Sequence, residues 1–334
     1  MRASYDRLLV WLLGAAVIGA VLQITLGGVV RVTGSGLGCP DWPLCHGSII
    51  PVFRDYHTAI EWSHRLTGTL LGVTLVLAAA RIWLHSERGR GVNGIWLRKD
   101  RDPVLARLSL AALVLVVIVG GIGGGVVLTE LDPGIRTVHL ALAEGALLVI
   151  AAGWVAASYL PGEGPASVRA ERRSLFRASA IAALAVLIAL LSGSYAVWRG
   201  AGAVCPSWPL CGGAVVPDSS LTWIHMTHRL LAGAGAALAL WAAHRAYRIK
   251  GAPTALRRAS LGGLVLVAAQ VLVGAANPWT GFDEWARALH LSLATLLWLD
   301  MALIALLIVR PVRRGRPRRP QGETAALAAG GASA

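Results

Sequence analysis

Apolar residues recur along this chain in eight runs. Each is long enough to cross roughly 30 Å of hydrocarbon as a helix, which takes about 20 residues. The runs fall near residues 8–30, 60–84, 105–128, 137–159, 177–198, 223–247, 258–277 and 287–309. The pattern predicts an all-α integral membrane protein with eight transmembrane helices. The first run has no small-residue cleavage site and flows into a Gly-rich loop, so it reads as a retained helix rather than a signal peptide.

Composition agrees with this class. Hydrophobic residues make up 56% of the 334 positions, charged residues only 14%, and mean hydropathy is +0.63, whereas a soluble domain carries about 25% charge. The net charge of +14 would suggest nucleic acid in a soluble protein, but the cations sit in alternate connections. Arg88, Arg90, Arg98, Lys99 and Arg101 lie between the second and third runs, and Arg169, Arg172 and Arg173 between the fourth and fifth. Arg248, Lys250, Arg257 and Arg258 follow the sixth run, and Arg310, Arg313, Arg314, Arg316, Arg318 and Arg319 follow the eighth. The positive-inside rule then places a multi-pass protein in the cell (plasma) membrane with both termini cytoplasmic, and leaves no role for nucleic acid. Residues 322–334 are small and polar and read as a disordered tail.

An internal repeat organises the chain. Cys39-Pro-Asp-Trp-Pro-Leu-Cys45 after the first run matches Cys205-Pro-Ser-Trp-Pro-Leu-Cys211 after the fifth. Glu61-Trp-Ser-His64-Arg65-Leu opens the second run as His225-Met-Thr-His228-Arg229-Leu opens the sixth, and Val138-His139-Leu-Ala-Leu-Ala matches Leu289-His290-Leu-Ser-Leu-Ala. Gln23 precedes Gly27-Gly28 as Gln270 precedes Gly274. Four spans per repeat is an even number, so both halves enter the membrane the same way round, as tandem parallel-repeat four-helix bundles. The expected division is 1–160 for the N-terminal half, 161–176 for a cytoplasmic linker, 177–309 for the C-terminal half and 310–334 for a basic, then disordered, tail.

His64, His139, His228 and His290 fall in the first turn or two of their helices, at one depth near the outer face. Ionisable groups inside spans are costly and mark functional sites. Any one could be an interfacial residue; four at matching positions point to ligation. Zinc or di-iron centres need further ligands, and although Glu61-x-x-His64 has the di-iron spacing, no carboxylate stands beside His139, since Glu144 lies five residues on. Two opposed imidazoles in small, apolar surroundings suit haem iron, whose other four ligands come from the porphyrin. Gly27, Gly28, Gly120, Gly121, Gly123, Gly124 and Gly125 would let a flat macrocycle approach the backbone, or would serve close helix packing. Arg65 and Arg229 follow ligand candidates where haem propionates would need cations; snorkelling is the plainer reading. Trp42 and Trp208 read as covers for the haem faces or as interfacial anchors. The two cysteine pairs, each with five intervening residues in a Pro-containing outer loop, are expected as disulfides Cys39 to Cys45 and Cys205 to Cys211, either structural or redox-active.

Together Gly34-Ser-Gly-Leu-Gly-Cys39, Trp42-Pro-Leu-Cys45-His-Gly and Glu61-Trp-Ser-His64-Arg65, repeated more weakly, make residues 8–309 resemble the heme A synthase family. The resemblance implies oxidation of the C8 methyl of haem O to a formyl group through hydroxylated intermediates, giving haem A for terminal oxidases. It implies that His64 and His139 flank the substrate haem O, that His228 and His290 ligate a retained cofactor haem b, and that Glu61 is catalytic. Implied partners are haem O, a haem O synthase, oxidase assembly factors and membrane lipid, with a homo-oligomer left open. One asymmetry supports the division: His225 stands where the first half has Glu61, so only that half has a carboxylate one turn from its ligand. A bis-histidine b-type cytochrome for quinol-linked electron transfer would share the histidines without needing Glu61. A parallel-repeat transporter would need neither.

Overall fold

Residues 6–84, 103–160, 164–213, 216, 218–310 and 312–313 are described in a computed structural model. Eight long helices account for nearly all of them: α1 (Arg7–Val32), α2 (Tyr56–Leu84), α3 (Pro103–Leu128), α4 (Pro133–Ser158), α5 (Ala166–Trp198), α6 (Ser220–Tyr247), α7 (Thr254–Trp279) and α8 (Glu284–Val309). Their starts follow local chemistry. Asp6 caps α1 by accepting from the Leu9 N–H at 3.1 Å, Asp132 caps α4 through Ile135 at 2.9 Å ahead of Pro133, and Ser219 and Thr222 form a capping box on α6. The protein is all-helical. Its only extended pairing among the described residues is β1 (Tyr159–Leu160) against β2 (Val312–Arg313), two residues a side.

Among the described residues seven helices are long and apolar enough to cross a membrane, where the hydrophobic pattern predicts eight. The exception is α6. At 28 residues it is long enough, but it carries His225, His228, Arg229, His244 and Arg245 among alanines and glycines, which contribute little hydropathy. α5 begins at Ala166, within the stretch 161–176 expected as a linker, so Arg169, Arg172 and Arg173 lie on a helix that buries Val168 and Leu175. Residues 161–163, the basic connection 85–102 with Arg88, Arg90, Arg98, Lys99 and Arg101, and residues 314–334 with the expected disordered tail lie outside the described residues.

Helices α1 to α4 pack in a ring, each against the next with α4 returning to α1, and α5 to α8 do likewise. The rings meet where α1 and α4 lie against α8 and α4 touches α5. The meeting helices are the deepest: 61% of the apolar window of α8 and 50% of that of α4 are buried, against 17% for peripheral α3. Small residues permit the contact; a Cβ on Gly28 of α1 would stand 2.9 Å from the Leu291 side chain of α8. At the end bearing the chain termini, arginines hold exposed helix-end carbonyls. Arg172 of α5 donates to Ile308 and Val309 at the end of α8, and Arg310 donates to Tyr159 after α4.

In the middle of the contact between α4 and α8 lies a polar pair. Glu144 is fully buried and its Oε1 accepts from Thr295 Oγ1 at 2.6 Å, while Oε2 has no partner. Glu144 stands five residues after His139, and Thr295 five after His290. Removing the hydroxyl would leave the carboxyl wholly unbonded. We expect Thr295→Val to cost about 1–3 kcal/mol and Glu144→Gln, which can keep the bond, to cost less, both measured by unfolding in mixed micelles. Equal losses would mean that the hydrogen bond contributes nothing.

Candidate functional site

All four histidines predicted as ligands lie at one end of the bundle, the end that carries the cysteine loops, and they form two pairs. His64 of α2 and His139 of α4 stand close together as the first pair. The rings of His228 of α6 and His290 of α8 stand with centroids 6.4 Å apart and planes at 89°. Half of that separation, about 3.2 Å, equals one metal–imidazole bond of about 2 Å plus the distance from ring nitrogen to ring centre.

Each ring sits against a glycine of a neighbouring odd-numbered helix. A Cβ on Gly27 of α1 would stand 3.1 Å from His64 Cε1, on Gly123 of α3 3.1 Å from His139 Cε1, on Gly193 of α5 2.8 Å from His228 Cε1, and on Gly274 of α7 3.1 Å from His290 Cε1. The same ring atom meets the helix in all four. The backbone carbonyls of Gln23, Val119 and Ala189, each four residues before the glycine, lie beside the rings of His64, His139 and His228. A helix thus offers a notch and a carbonyl to an imidazole edge, the usual way of orienting a metal-ligating histidine. The Nδ1 atoms of His64, His139 and His290 are buried without a hydrogen-bond partner, and His228 Nδ1 meets Ser192 Oγ at 2.9 Å. The four residues are only half-buried, and His64 Nε2 meets the Gln23 side-chain amide at 3.4 Å. The donor set fits haem: two imidazoles per site, and among the described residues no cluster of three or more His, Cys, Asp or Glu side chains that could hold a metal ion.

The other expected glycines divide. Gly124 receives the indole of Trp42, whereas Gly120, Gly121 and Gly125 face open space. Trp42 therefore reaches α3 beside the glycine that seats His139, and Trp208 reaches Trp279 at the end of α7, with centroids 6.1 Å apart.

Above each histidine pair lies a disulfide loop. Cys39 is bonded to Cys45 and Cys205 to Cys211, with Cα separations of 4.6 and 4.7 Å. Arg65 donates to the carbonyls of Cys39, Asp41 and Leu44, and Arg229 to those of Cys205, Ser207 and Pro209. The two guanidiniums expected to face propionates thus tie each loop to the helix that carries a ligand candidate. Gly38 lets the first loop close on α2, since a Cβ there would lie 2.3 Å from the His57 carbonyl oxygen. The floors of the loops differ. Asp41 accepts from the N–H groups of His46 and Gly47 at 2.6 and 2.8 Å, whereas Ser207 accepts from Gly212 and donates to Leu210.

Glu61 is buried, and its Oε1 accepts from Arg65 Nε at 3.0 Å. His225, its counterpart in α6, is also buried, and its Nδ1 donates to the Ala201 carbonyl at 2.8 Å. His46 in the loop and His57 in the first turn of α2, given no role from sequence, bond to Gly38 O and Ser35 Oγ; His244 lies at the opposite end of α6, and His85 lies outside the described residues. Sequence reasoning missed Arg136 and Arg287, although both stand three residues before a histidine, in Arg136-Thr-Val-His139 and Arg287-Ala-Leu-His290. It also missed Arg31.

A helical bundle with membrane-length spans, two imidazole pairs and two disulfide loops at one end is a multi-pass membrane protein. The chain matches the model of the cytochrome oxidase assembly protein family over residues 9–302 and belongs to that family. It is 30% identical to the heme A synthase of Symbiobacterium thermophilum, over 83% of this chain and 88% of that protein. Similar relatives are the heme A synthases of Methylobacterium sp. (30% identical; 90% and 92% covered) and of Exiguobacterium sp. strain AT1b (28%; 84% and 87%).

The Gly47 and His46 N–H groups hold the Asp41 carboxyl below the usual carboxylate range. A depressed native value means that its contribution is complete above the unfolded value of about 3.9 and is lost as pH falls through the native one. Exchange protection of the His46 and Gly47 amides should therefore persist down to about pH 4 and vanish below it, while Asp41→Asn weakens it at neutral pH; protection independent of both changes would remove Asp41 from the loop's support.

Proposed function

We propose that this protein is a haem A synthase, oxidising the C8 methyl of haem O to a formyl group for terminal oxidases. The observation that carries the reading is the opposed pair His228 and His290, 6.4 Å apart, in a chain similar over most of its length to proteins named for haem A synthesis. In this reading the chain is two tandem four-helix halves, with α6 as an eighth span and the basic ends of the helices cytoplasmic. The cysteine loops and histidines then face outward. Support comes from the alternation of arginines with disulfide loops along the chain, since disulfides persist on the oxidising side.

Residues 1–160 form the substrate half. His64 and His139 flank haem O, with Gly27 and Gly123 giving each ring its seat. His228 and His290 ligate haem b, which when bound supplies one-electron redox chemistry. Glu61 is the catalytic carboxylate. It lies one turn from His64 and is held by Arg65, so it is placed to accept a proton as the substrate methyl is oxidised. In the second half that position is filled by His225, whose Nδ1 is committed to Ala201, which suits a site that transfers electrons without moving a proton. Arg65 and Arg229 hold the loops over the two sites and bring positive charge to the side where propionates lie.

Co-expression with a haem O synthase, followed by haem extraction and chromatography, tests the reaction: haem A or its hydroxylated precursor must accumulate. Haem b alone would favour the electron-transfer cytochrome. Glu61→Gln should lower haem A by at least about tenfold with haem b retained, and full activity would remove Glu61 from the mechanism. Gly193→Val should displace His228 and abolish the bis-histidine haem b spectrum while α2 and α4 stay intact; an unchanged spectrum would exclude His228 as a ligand.

A further inference from the structure

Three arginines converge at the loop end of the bundle where the two rings of helices meet. Arg31 is in the last turn of α1, Arg136 in the first turn of α4 and Arg287 in the first turn of α8. Arg31 lies near enough to Arg287 and Arg136 for the three like charges to repel, and near His290. Arg287 Nη2 makes a long contact of 3.4 Å to the Val32 carbonyl, and its Nε is buried with no partner. Among the described residues no carboxylate pairs with any of the three, and the side chains of Arg31 and Arg136 have no hydrogen bond. Like charges gathered at a half-buried site repel, and a buried donor without an acceptor is costly, so the cluster calls for an anion. The starts of α4 and α8 add their positive dipole ends at the same place.

The position of the cluster selects the anion. Arg136 and Arg287 are each three residues, about 4.5 Å of helix rise, from His139 and His290 toward the loop end, and Arg31 stands one turn beyond Gly27, which seats His64. The cluster is therefore shared by the inner walls of both histidine pairs. Arg65 and Arg229, by contrast, spend their donors on loop carbonyls. We propose that Arg31, Arg136 and Arg287 form a carboxylate-binding site between the two haem pockets that receives haem propionates, Arg287 and Arg31 on the His228–His290 side and Arg136 on the His64–His139 side. This rests on the reading of those histidines as haem ligands. Guanidinium forks match carboxylates bidentately. A consequence is that the two sites share one electrostatic environment.

The test uses full-length protein purified with its haem. Arg31→Gln and Arg287→Gln should speed haem loss to excess apomyoglobin by about tenfold to a hundredfold, the range for deleting one charged hydrogen bond. Both should lower the haem midpoint potential, because a nearby cation favours the reduced state. Arg31→Lys, which keeps the charge without the fork, should retain most of the potential but not the slow haem loss. Phospholipid phosphate bound per protein should not change. Unaltered haem loss and potential in the Gln variants would overturn the proposal, and a drop in bound phosphate with unaltered haem would reassign the cluster to a lipid headgroup. Wild-type protein without haem would instead overturn the haem reading of the histidines, and the arginine site with it.

Discussion

An imidazole placed within a membrane-spanning bundle needs both space and a hydrogen-bond partner, and no water is at hand to supply the second. Here a neighbouring helix supplies the space for each of four rings, where a glycine removes the side chain in its way. Much of the architecture follows. Helices α1, α3, α5 and α7 must pass within a few ångströms of His64, His139, His228 and His290, which fixes each even-numbered helix against an odd one near its loop end. The same contact orients the ring, with Cε1 against the helix and the two nitrogens to either side of it.

The loops above depend on that seating. Arg65 and Arg229 come one residue after His64 and His228, and on a helix their side chains leave from an adjacent face, toward the loop rather than into the bundle. Each gathers three carbonyls of a short disulfide-closed segment and so gives a polar loop an internal structure at the membrane boundary. The roofs are alike; the differences lie beneath them. Glu61 against His225, and Asp41 against Ser207, change which charges lie near each histidine pair without altering the frame.

Between the rings, α4 and α8 bring together residues that stand equally far from their histidines. Glu144 and Thr295 meet at mid-bundle, and Arg136 and Arg287 approach at the loop end with Arg31 between them. A hydrogen-bonded carboxyl–hydroxyl pair is tolerable at depth, whereas a cation cluster is tolerable only near the surface and with an anion. The two polar features are thus sorted by depth as solvation requires.

Hydrophobic run length placed the helices, with ends that the structure extends, because capping residues such as Asp6, Asp132 and Ser219 lie outside the apolar windows that lipid demands. The stretch 161–176 reads as a linker because its arginines interrupt hydropathy, yet they are good helix formers, and α5 starts within it at Ala166. In the same way α6 falls short of a span by hydropathy because its polar residues are those of the site. The pairing of cysteines was legible because six residues of separation allow few other partners. That His64, His139, His228 and His290 stand at matching places near one end of their helices was legible too, because a polar residue in an apolar run is conspicuous on its own. What Arg65, Arg229, Gly123 and Gly193 touch was not, since an arginine at a helix end or a glycine in a span has several uses that look the same in one dimension. The sequence by itself determined the membrane class, the helix order and the residues able to ligate. Only the tertiary structure decided that Arg31, Arg136 and Arg287, up to 256 positions apart, stand together, because charge clustering depends on which helix faces meet.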